Sequence, residues 1–309
     1  MVVTHGTRLP GAGRQALTVG NFDGVHLGHR AMLERVIAQA RGLGLASCVL
    51  TFEPHAREFF SPATAPARLT RLRDKLELFA AAGIDRVHVA RFDARLAGVA
   101  AERFVDEVLL RGLGAAWLLV GRDFRFGAKR AGDFALLERM ARERGFALEA
   151  MPDVTLDAVR VSSSAVRAAL AAGELARAAR LLGRRFTLSG RVAHGERLGR
   201  ALGFPTANIV LRRRPPLAGV FVVEAELEET QARLRGAASV GRRPTVRDNA
   251  LPLLEVHLLD FEAPIYGKHL RVTFLEKLRD EEKYDGLDAL RAAIARDVER
   301  TREYFRNHG

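Results

Sequence analysis

The chain has 309 residues and a mass of 33.9 kDa, about twice an ordinary domain, so two domains are expected and a lone small module is excluded. Hydrophobic residues make up 48% and charged residues 28%, with mean hydropathy -0.04, a balance that excludes disordered, fibrous and membrane-embedded classes. The formal charge of +12 invites a nucleic-acid partner, but the excess has no focus: 26 basic residues face 19 acidic ones up to Gly183, and 23 face 18 beyond it. The densest runs, Arg212-Arg213-Arg214 and Arg242-Arg243, read as solvated loops, so neither a nucleic acid nor a membrane is expected as partner. Cys48 is the single cysteine, which excludes an intrachain disulfide and a cysteine-built zinc site and fits a reducing cytoplasm. The apolar stretch Gly42 to Phe52 is far short of a membrane span, and Met1-Val2-Val3-Thr4-His5 has no basic region leading into an apolar core, so no secretory signal is expected.

In chain order, apolar and β-branched runs alternate with helical patterns. Strands are predicted at Ala16 to Gly20, Ser47 to Phe52, Arg86 to Phe92 and Ala115 to Val120, with helices near Leu27 to Ala40, Arg68 to Ala82, Ala101 to Leu110 and Asp133 to Arg144. That rhythm implies βαβ units and a parallel sheet, with ligands beyond the carboxyl ends of its strands. Two short helices, about Ser163 to Ala171 and Glu174 to Leu182, close this region. Short strands follow at Phe186 to Val192, Gly219 to Leu227, Leu234 to Val240, Leu253 to Phe261 and Leu270 to Phe274, which predict a small antiparallel barrel or sandwich. Leu287, Leu290, Ile294 and Val298 mark one apolar face of a closing helix. The expected boundary lies at about Gly183 to Phe186, giving domains 1–184 and 185–309.

The first chemical motif is Leu17-Thr18-Val19-Gly20-Asn21-Phe22-Asp23-Gly24-Val25-His26-Leu27-Gly28-His29. A strand ends at Gly20, a turn follows, and His26 and His29 fall on one face at the start of a helix. Gly28 between them lets a phosphate approach amides at a helix N-terminus, so the pair reads as a triphosphate clamp whose ring N–H groups stabilise charge on the α-phosphorus and the departing pyrophosphate. A surface or capping role for two histidines at a turn is the plainer alternative. Further on, Ser162, Ser163 and Ser164 open a helix with Arg167 one turn later, a pattern that caps amides or holds an anion.

The whole string resembles the signature of the HxGH nucleotidyltransferase superfamily, in the form found in the bacterial bifunctional riboflavin kinase and FMN adenylyltransferase (FAD synthetase) family. Three later segments are similar to that family's pattern. Thr51-Phe52-Glu53-Pro54-His55 resembles its Phe-X-Pro-His segment, with Ala56 where a second proline is usual. Val120-Gly121-Arg122-Asp123-Phe124-Arg125-Phe126-Gly127 resembles its Gly-X-Asp-Phe-X-Phe-Gly loop, and Val161-Ser162-Ser163-Ser164-Ala165-Val166-Arg167 resembles its Ile-Ser-Ser-Thr-X-Ile-Arg. The resemblance implies a Rossmann-like nucleotidyltransferase domain in which His26, His29 and Arg167 act on the nucleotide, while Gly20, Asn21, Phe22, Gly24, Asp123 and the three serines bind it.

The second motif runs from Gly190 to Asn208. It is Gly-rich without being a Walker A loop, since no Gly-Lys-Ser/Thr occurs. Gly195, Gly199 and Gly203 permit close backbone approach to a triphosphate, and Arg197 or Arg200 can supply positive charge. Thr206 and Asn208 put two neutral oxygens on one side of an extended chain, which suits Mg²⁺ shared with nucleotide phosphates. Glu255 stands in the otherwise apolar run Leu253 to Leu259, where a carboxylate must be exposed, paired or functional. Gly203-Phe204-Pro205-Thr206-Ala207-Asn208 resembles the riboflavin kinase signature of the same family almost letter for letter, with Leu254-Glu255-Val256-His257 and Tyr266-Gly267-Lys268 in the family's order. By that resemblance Glu255 is the general base that activates the ribityl 5′-hydroxyl, and Arg279 and Tyr284 border the flavin.

The resemblance therefore implies a cytoplasmic enzyme of two reactions, riboflavin with ATP giving FMN and FMN with ATP giving FAD, with Mg²⁺ assisting and flavins as substrate and product. A homo-oligomer is left open. The competing readings are a nucleotidyltransferase for another phosphate acceptor, which leaves the Pro-Thr-Ala-Asn segment unexplained, and a nucleic-acid-binding protein, which would need a clustered basic face or aromatic stacking positions.

Overall fold

A computed structural model of the chain describes residues 1–6, 13–195, 199, 202–241 and 251–308. Two compact units emerge, Met1–Pro66 with Leu72–Ser162 and Ala67–Arg71 with Ser163–Gly309. The first unit comprises β1 (Val2–His5), β2 (Gln15–Val19), α1 (Leu27–Leu43), β3 (Ala46–Glu53), α2 (Ala56–Phe60), α3 (Leu72–Ala82), β4 (Arg86–Arg91), α4 (Ala94–Ala97), α5 (Ala101–Arg103), a π-helical segment Phe104–Gly112, β5 (Ala115–Gly121), α6 (Phe134–Arg144), β6 (Ala147–Met151) and a hairpin of β7 (Thr155–Leu156) and β8 (Val159–Arg160).

Among the described residues its main sheet has six strands in the order β1-β4-β3-β2-β5-β6, every adjacent pair parallel. All five residues of β2 are buried, because helices cover both faces of the sheet. Leu17, Val19, Leu118 and Val120 pack with Phe104, Leu109, Leu137 and Met140 on one face, while Ala16, Trp117 and Leu119 pack with Val36 and Ala40 of α1 on the other. The order reverses between β2 and β5, and the turns leaving these two strands carry the Asn21–His29 and Gly121–Gly127 segments. That crevice is where an open parallel sheet binds its ligand.

Several elements depart from the sequence expectation. β1 and β6 lie at the sheet edges, half-exposed, and lack the buried run that reveals the inner strands. α3 begins at Leu72 rather than Arg68, because Arg68, Leu69 and Thr70 are buried in succession, which no single helical face allows. The helix expected over Ala101 to Leu110 turns π-helical at Phe104, with Phe104, Val105, Leu109 and Gly112 buried. Burial pushes the Cys48 thiol up to about 12, against a small opposing pull from Arg86. Cys48 should accordingly resist iodoacetamide in the native protein and react only on denaturation, as mass spectrometry will show.

The second unit starts with α7 (Ser163–Ala171) and α8 (Leu175–Leu182), then β9 (Thr187–Arg191), β10 (Ala207–Val210), β11 (Gly219–Leu227), β12 (Ala232–Gly241), β13 (Leu253–Leu258), β14 (His269–Arg279) and α9 (Leu287–His308). Its six described strands form an antiparallel sheet in the order β10-β13-β12-β11-β14-β9. A bridge between Ala193, just past β9, and Asn208 of β10 brings the two edges together into a nearly closed barrel. β13 alternates strictly: Leu254, Val256 and Leu258 enter the core, so Leu253, Glu255 and His257 share the opposite face. In α9 the fully buried stripe is Ala293, Asp297, Thr301 and Phe305. The apolar stripe read from the sequence, Leu287, Leu290, Ile294 and Val298, instead lines a cavity.

Candidate active sites

In the first unit, the turn from β2 into α1 is built from backbone conformations that side chains ordinarily avoid. Phe22 and Val25 have φ of 48° and 40°, flanking Gly24 at 89°. A β-branched residue in the left-handed region is strained, and such strain persists where packing over-determines it. Here Phe22 and Val25 are both buried in the core beneath α1. The Phe22 ring meets Phe79 edge-on at 5.4 Å and lies 5.0 Å from the His29 ring, while a Cβ on Gly20 would come within 3.1 Å of it.

His26 is the N-cap of α1, its Nδ1 accepting the His29 amide at 3.3 Å. An accepting Nδ1 leaves the proton of a neutral ring on Nε2, so the cap fixes His26 as an Nε2–H donor. The His26 and His29 rings stack at 3.6 Å with 17° between their planes. Gly28 fits beneath them: a Cβ there would stand 3.2 Å from the His26 ring. The capping role and the phosphate role are thus compatible, since they use opposite sides of one imidazole.

Asp123 follows β5 and is held by Arg160 Nη2 of β8 at 2.8 Å, while Arg160 Nε meets Asp153 at 2.9 Å. These carboxylates raise the Arg160 pKa through the Asp123 hydrogen bond above all, despite an opposing burial effect. Ser162 ends the first unit, and Ser163, Ser164 and Arg167 belong to α7 of the second, where Arg167 Nε donates to the Ala67 carbonyl at 2.6 Å.

Two features of the first unit escaped sequence reasoning. Phe52, Phe59, Phe60 and Phe92 form an edge-to-face cluster with centroids 5.2 to 5.9 Å apart, and Phe60 is 63% exposed. Lys75 is completely buried in α3 and donates to the Asn21 carbonyl at 2.6 Å. A signal for Lys75 was available: it is one of five lysines among 49 basic residues, and it lies on the apolar stripe formed with Leu72, Leu76 and Phe79.

In the second unit, Asn208, Glu255 and Ser239 sit directly opposite one another across β10, β13 and β12. All three line a cavity of about 840 Å³, together with Thr206 and His257. Its far wall is the apolar stripe of α9, so one side is polar and hydrogen-bonding and the other suits a flat hydrophobic ring. Asn208 Oδ1 is a buried oxygen with no hydrogen-bond partner among the described residues, while its Nδ2 donates to the Thr206 carbonyl at 3.3 Å. His257 Nδ1 lies 2.9 Å from the Pro205 carbonyl and steadies the segment that carries Thr206.

The glycines here answer to steric need. A Cβ on Gly195 would collide with the Asn208 amide, and one on Gly199 would reach the Phe204 carbonyl at 2.5 Å. Arg197 and Arg200 lie outside the described residues. Arg279 and Tyr284 stand together on the cavity wall, the guanidinium 5.8 Å from the ring centroid. Arg279 is also clamped to the buried Asp297 by bonds of 2.6 to 3.1 Å. Burial, and then the Glu255 carboxylate, push the Glu281 carboxyl above the ordinary glutamate range, with Arg279 pulling the other way.

Comparison with known proteins places each part of the chain in a family. Family models for FAD synthetase and riboflavin kinase match residues 11–165 and 182–305. The bifunctional riboflavin kinase/FMN adenylyltransferase of Escherichia coli (strain K12) is 48% identical over 290 residues, 94% of this chain and 92% of that protein. The protein of the same name from Pseudomonas fluorescens is 49% identical over 282 residues (91% and 90%), and that from Haemophilus influenzae is 44% identical over 291 residues (94% of each). A solved structure described as a macrolide-efflux protein from Streptococcus pneumoniae matches 98% of this chain and 99% of its own, with TM-score 0.79 and 27% identity. No helix among the described residues is long and apolar enough to cross a membrane. Two family models in the family's order, together with this identity over nine-tenths of the chain, establish that the chain belongs to the bifunctional riboflavin kinase/FMN adenylyltransferase family.

Proposed function

We propose that residues 185–309 convert riboflavin and ATP to FMN and ADP, and that residues 1–184 convert FMN and ATP to FAD and pyrophosphate, in a cytoplasmic enzyme that requires neither nucleic acid nor membrane. The observation that carries the kinase assignment is the row Asn208, Glu255, Ser239 facing an apolar wall across one cavity. The isoalloxazine ring lies against Leu287, Leu290, Ile294 and Val298, with Arg279 and Tyr284 at its border. Glu255 takes the proton of the ribityl 5′-hydroxyl as that oxygen attacks the γ-phosphorus and ADP departs. The unpartnered Asn208 Oδ1 and the Thr206 hydroxyl are hard oxygen donors of the kind Mg²⁺ takes, and they are the residues that would hold it. When bound, Mg²⁺ would neutralise charge on the ATP phosphates.

In the first unit the FMN phosphate is itself the nucleophile toward the α-phosphorus, and pyrophosphate leaves. No proton need be removed, so the protein's task is to align two anions and offset their repulsion. His26 donates through Nε2 and His29 stacks beside it; Gly20, Asn21, Phe22 and Gly24 shape the turn. The parts of Asp123, Ser162, Ser163, Ser164 and Arg167 rest on the family pattern. The exposed Phe59 and Phe60, backed by the half-buried Phe92, give the flavin ring of FMN an aromatic platform in this unit. A homo-oligomer is compatible with these steps, and none requires one.

Incubation of the full chain with riboflavin, ATP and Mg²⁺, followed by chromatography, should show FMN first and FAD after it. FMN without FAD would reduce the protein to a kinase, and neither product would overturn both assignments.

A further inference from the structure

The nucleotide turn of the first unit is fastened from below by a buried lysine. Lys75 is 0% exposed, and its Nζ lies 2.6 Å from the Asn21 carbonyl and 3.2 Å from His55 Nε2. The same carbonyl also accepts from Thr51 Oγ1 at 3.3 Å. Three segments far apart in sequence, the β2–α1 turn, the end of β3 with the start of α2, and α3, thus converge on one ammonium group. Burying a lysine is costly unless its hydrogens are well used, and the contacts to Asn21 and His55 use them here.

A trans peptide points its C=O and N–H in opposite directions. Drawing the Asn21 carbonyl toward Lys75 and Thr51 therefore turns the Phe22 amide the other way. Phe22 is buried, yet its N–H has no acceptor among the described residues. The same turn holds Phe22 at positive φ, with its ring 5.0 Å from the His29 ring and tilted 50° to it. We infer that Lys75 is a positioning residue for adenylyl transfer: its ammonium sets the Asn21–Phe22 peptide, which aims the Phe22 amide and seats the Phe22 ring under His29. Lys75 touches no reacting atom in this account. The inference rests on the reading of the first unit as the adenylyltransferase.

The test uses the full chain, with FAD formation from supplied FMN measured beside FMN formation from riboflavin. Lys75→Met, which keeps much of the side-chain volume, should lower kcat for FAD formation by about 100-fold, the loss expected of a misplaced reacting geometry. KM for ATP should change by less than about threefold, because binding contacts remain. FMN formation should be unchanged, and Lys75→Arg should recover at least about tenfold over Lys75→Met because it restores a charged donor. FAD formation by Lys75→Met within about twofold of wild type would overturn the inference, as would a loss confined to KM. If Lys75→Met does not fold, Thr51→Val decides: this near-isosteric change removes the second donor to Asn21 and should lower FAD formation several-fold, and an unchanged rate would again overturn the inference. Failure of the wild-type chain to make FAD would instead overturn the activity assigned to the first unit.

Discussion

His29→Ala should lower FAD formation from FMN by about 10² to 10³-fold, the cost typical of deleting a preorganised donor to developing charge, while FMN formation from riboflavin stays at the wild-type rate. The variant is clean for a structural reason. The cap of α1 uses the backbone amide of His29 and the ring of His26, so the helix start survives loss of the His29 side chain. His26→Ala would confound the result by removing the cap, worth about 1 kcal/mol, together with the donor. Parallel assays of the two products on one preparation make the comparison internal. Equal loss of FMN and FAD formation would sink the assignment of the two reactions to separate sites.

Glu255→Gln should lower FMN formation by about 10² to 10⁴-fold, the range expected for loss of a general base, and should leave FAD formation from supplied FMN intact. Glutamine keeps the shape and hydrogen-bonding reach of glutamate but cannot accept the hydroxyl proton. Asn208 and Ser239 flank Glu255 across the strands, and His257 lies two residues along the same face. Glu281 lines the same cavity, where burial and then the Glu255 carboxylate push its carboxyl above the ordinary glutamate range. A Glu255→Gln enzyme that phosphorylates riboflavin within about threefold of wild type would remove Glu255 as the base.

How far the sequence could be read depended on whether a signal was local. β2 and β5 were legible because burial on both faces leaves continuous apolar runs, whereas the edge strands β1 and β6 carry no such run. The His26–His29 pair and Glu255 were legible because each is an unusual residue in its own immediate setting. Lys75 was harder, since its purpose appears only when α3 is brought against a turn 54 residues earlier. The aromatic cluster likewise draws Phe52, Phe59, Phe60 and Phe92 from three separate segments. The stripe of α9 shows a subtler gap: its periodicity was read correctly, but periodicity gives the spacing of an apolar face and not what that face meets.

That stripe has a thermodynamic consequence. Leu290, Ile294 and Val298 are only partly covered by the protein's own atoms, and Leu287 is 57% exposed. The second unit thus leaves part of its apolar surface uncovered, and under the proposed function riboflavin would cover it. Substrate capture and native-state stability then draw on the same water-releasing surface, and a ligand that binds only the folded form tilts the folding equilibrium by mass action. Occupancy of that cavity would then raise the folded fraction of the second unit.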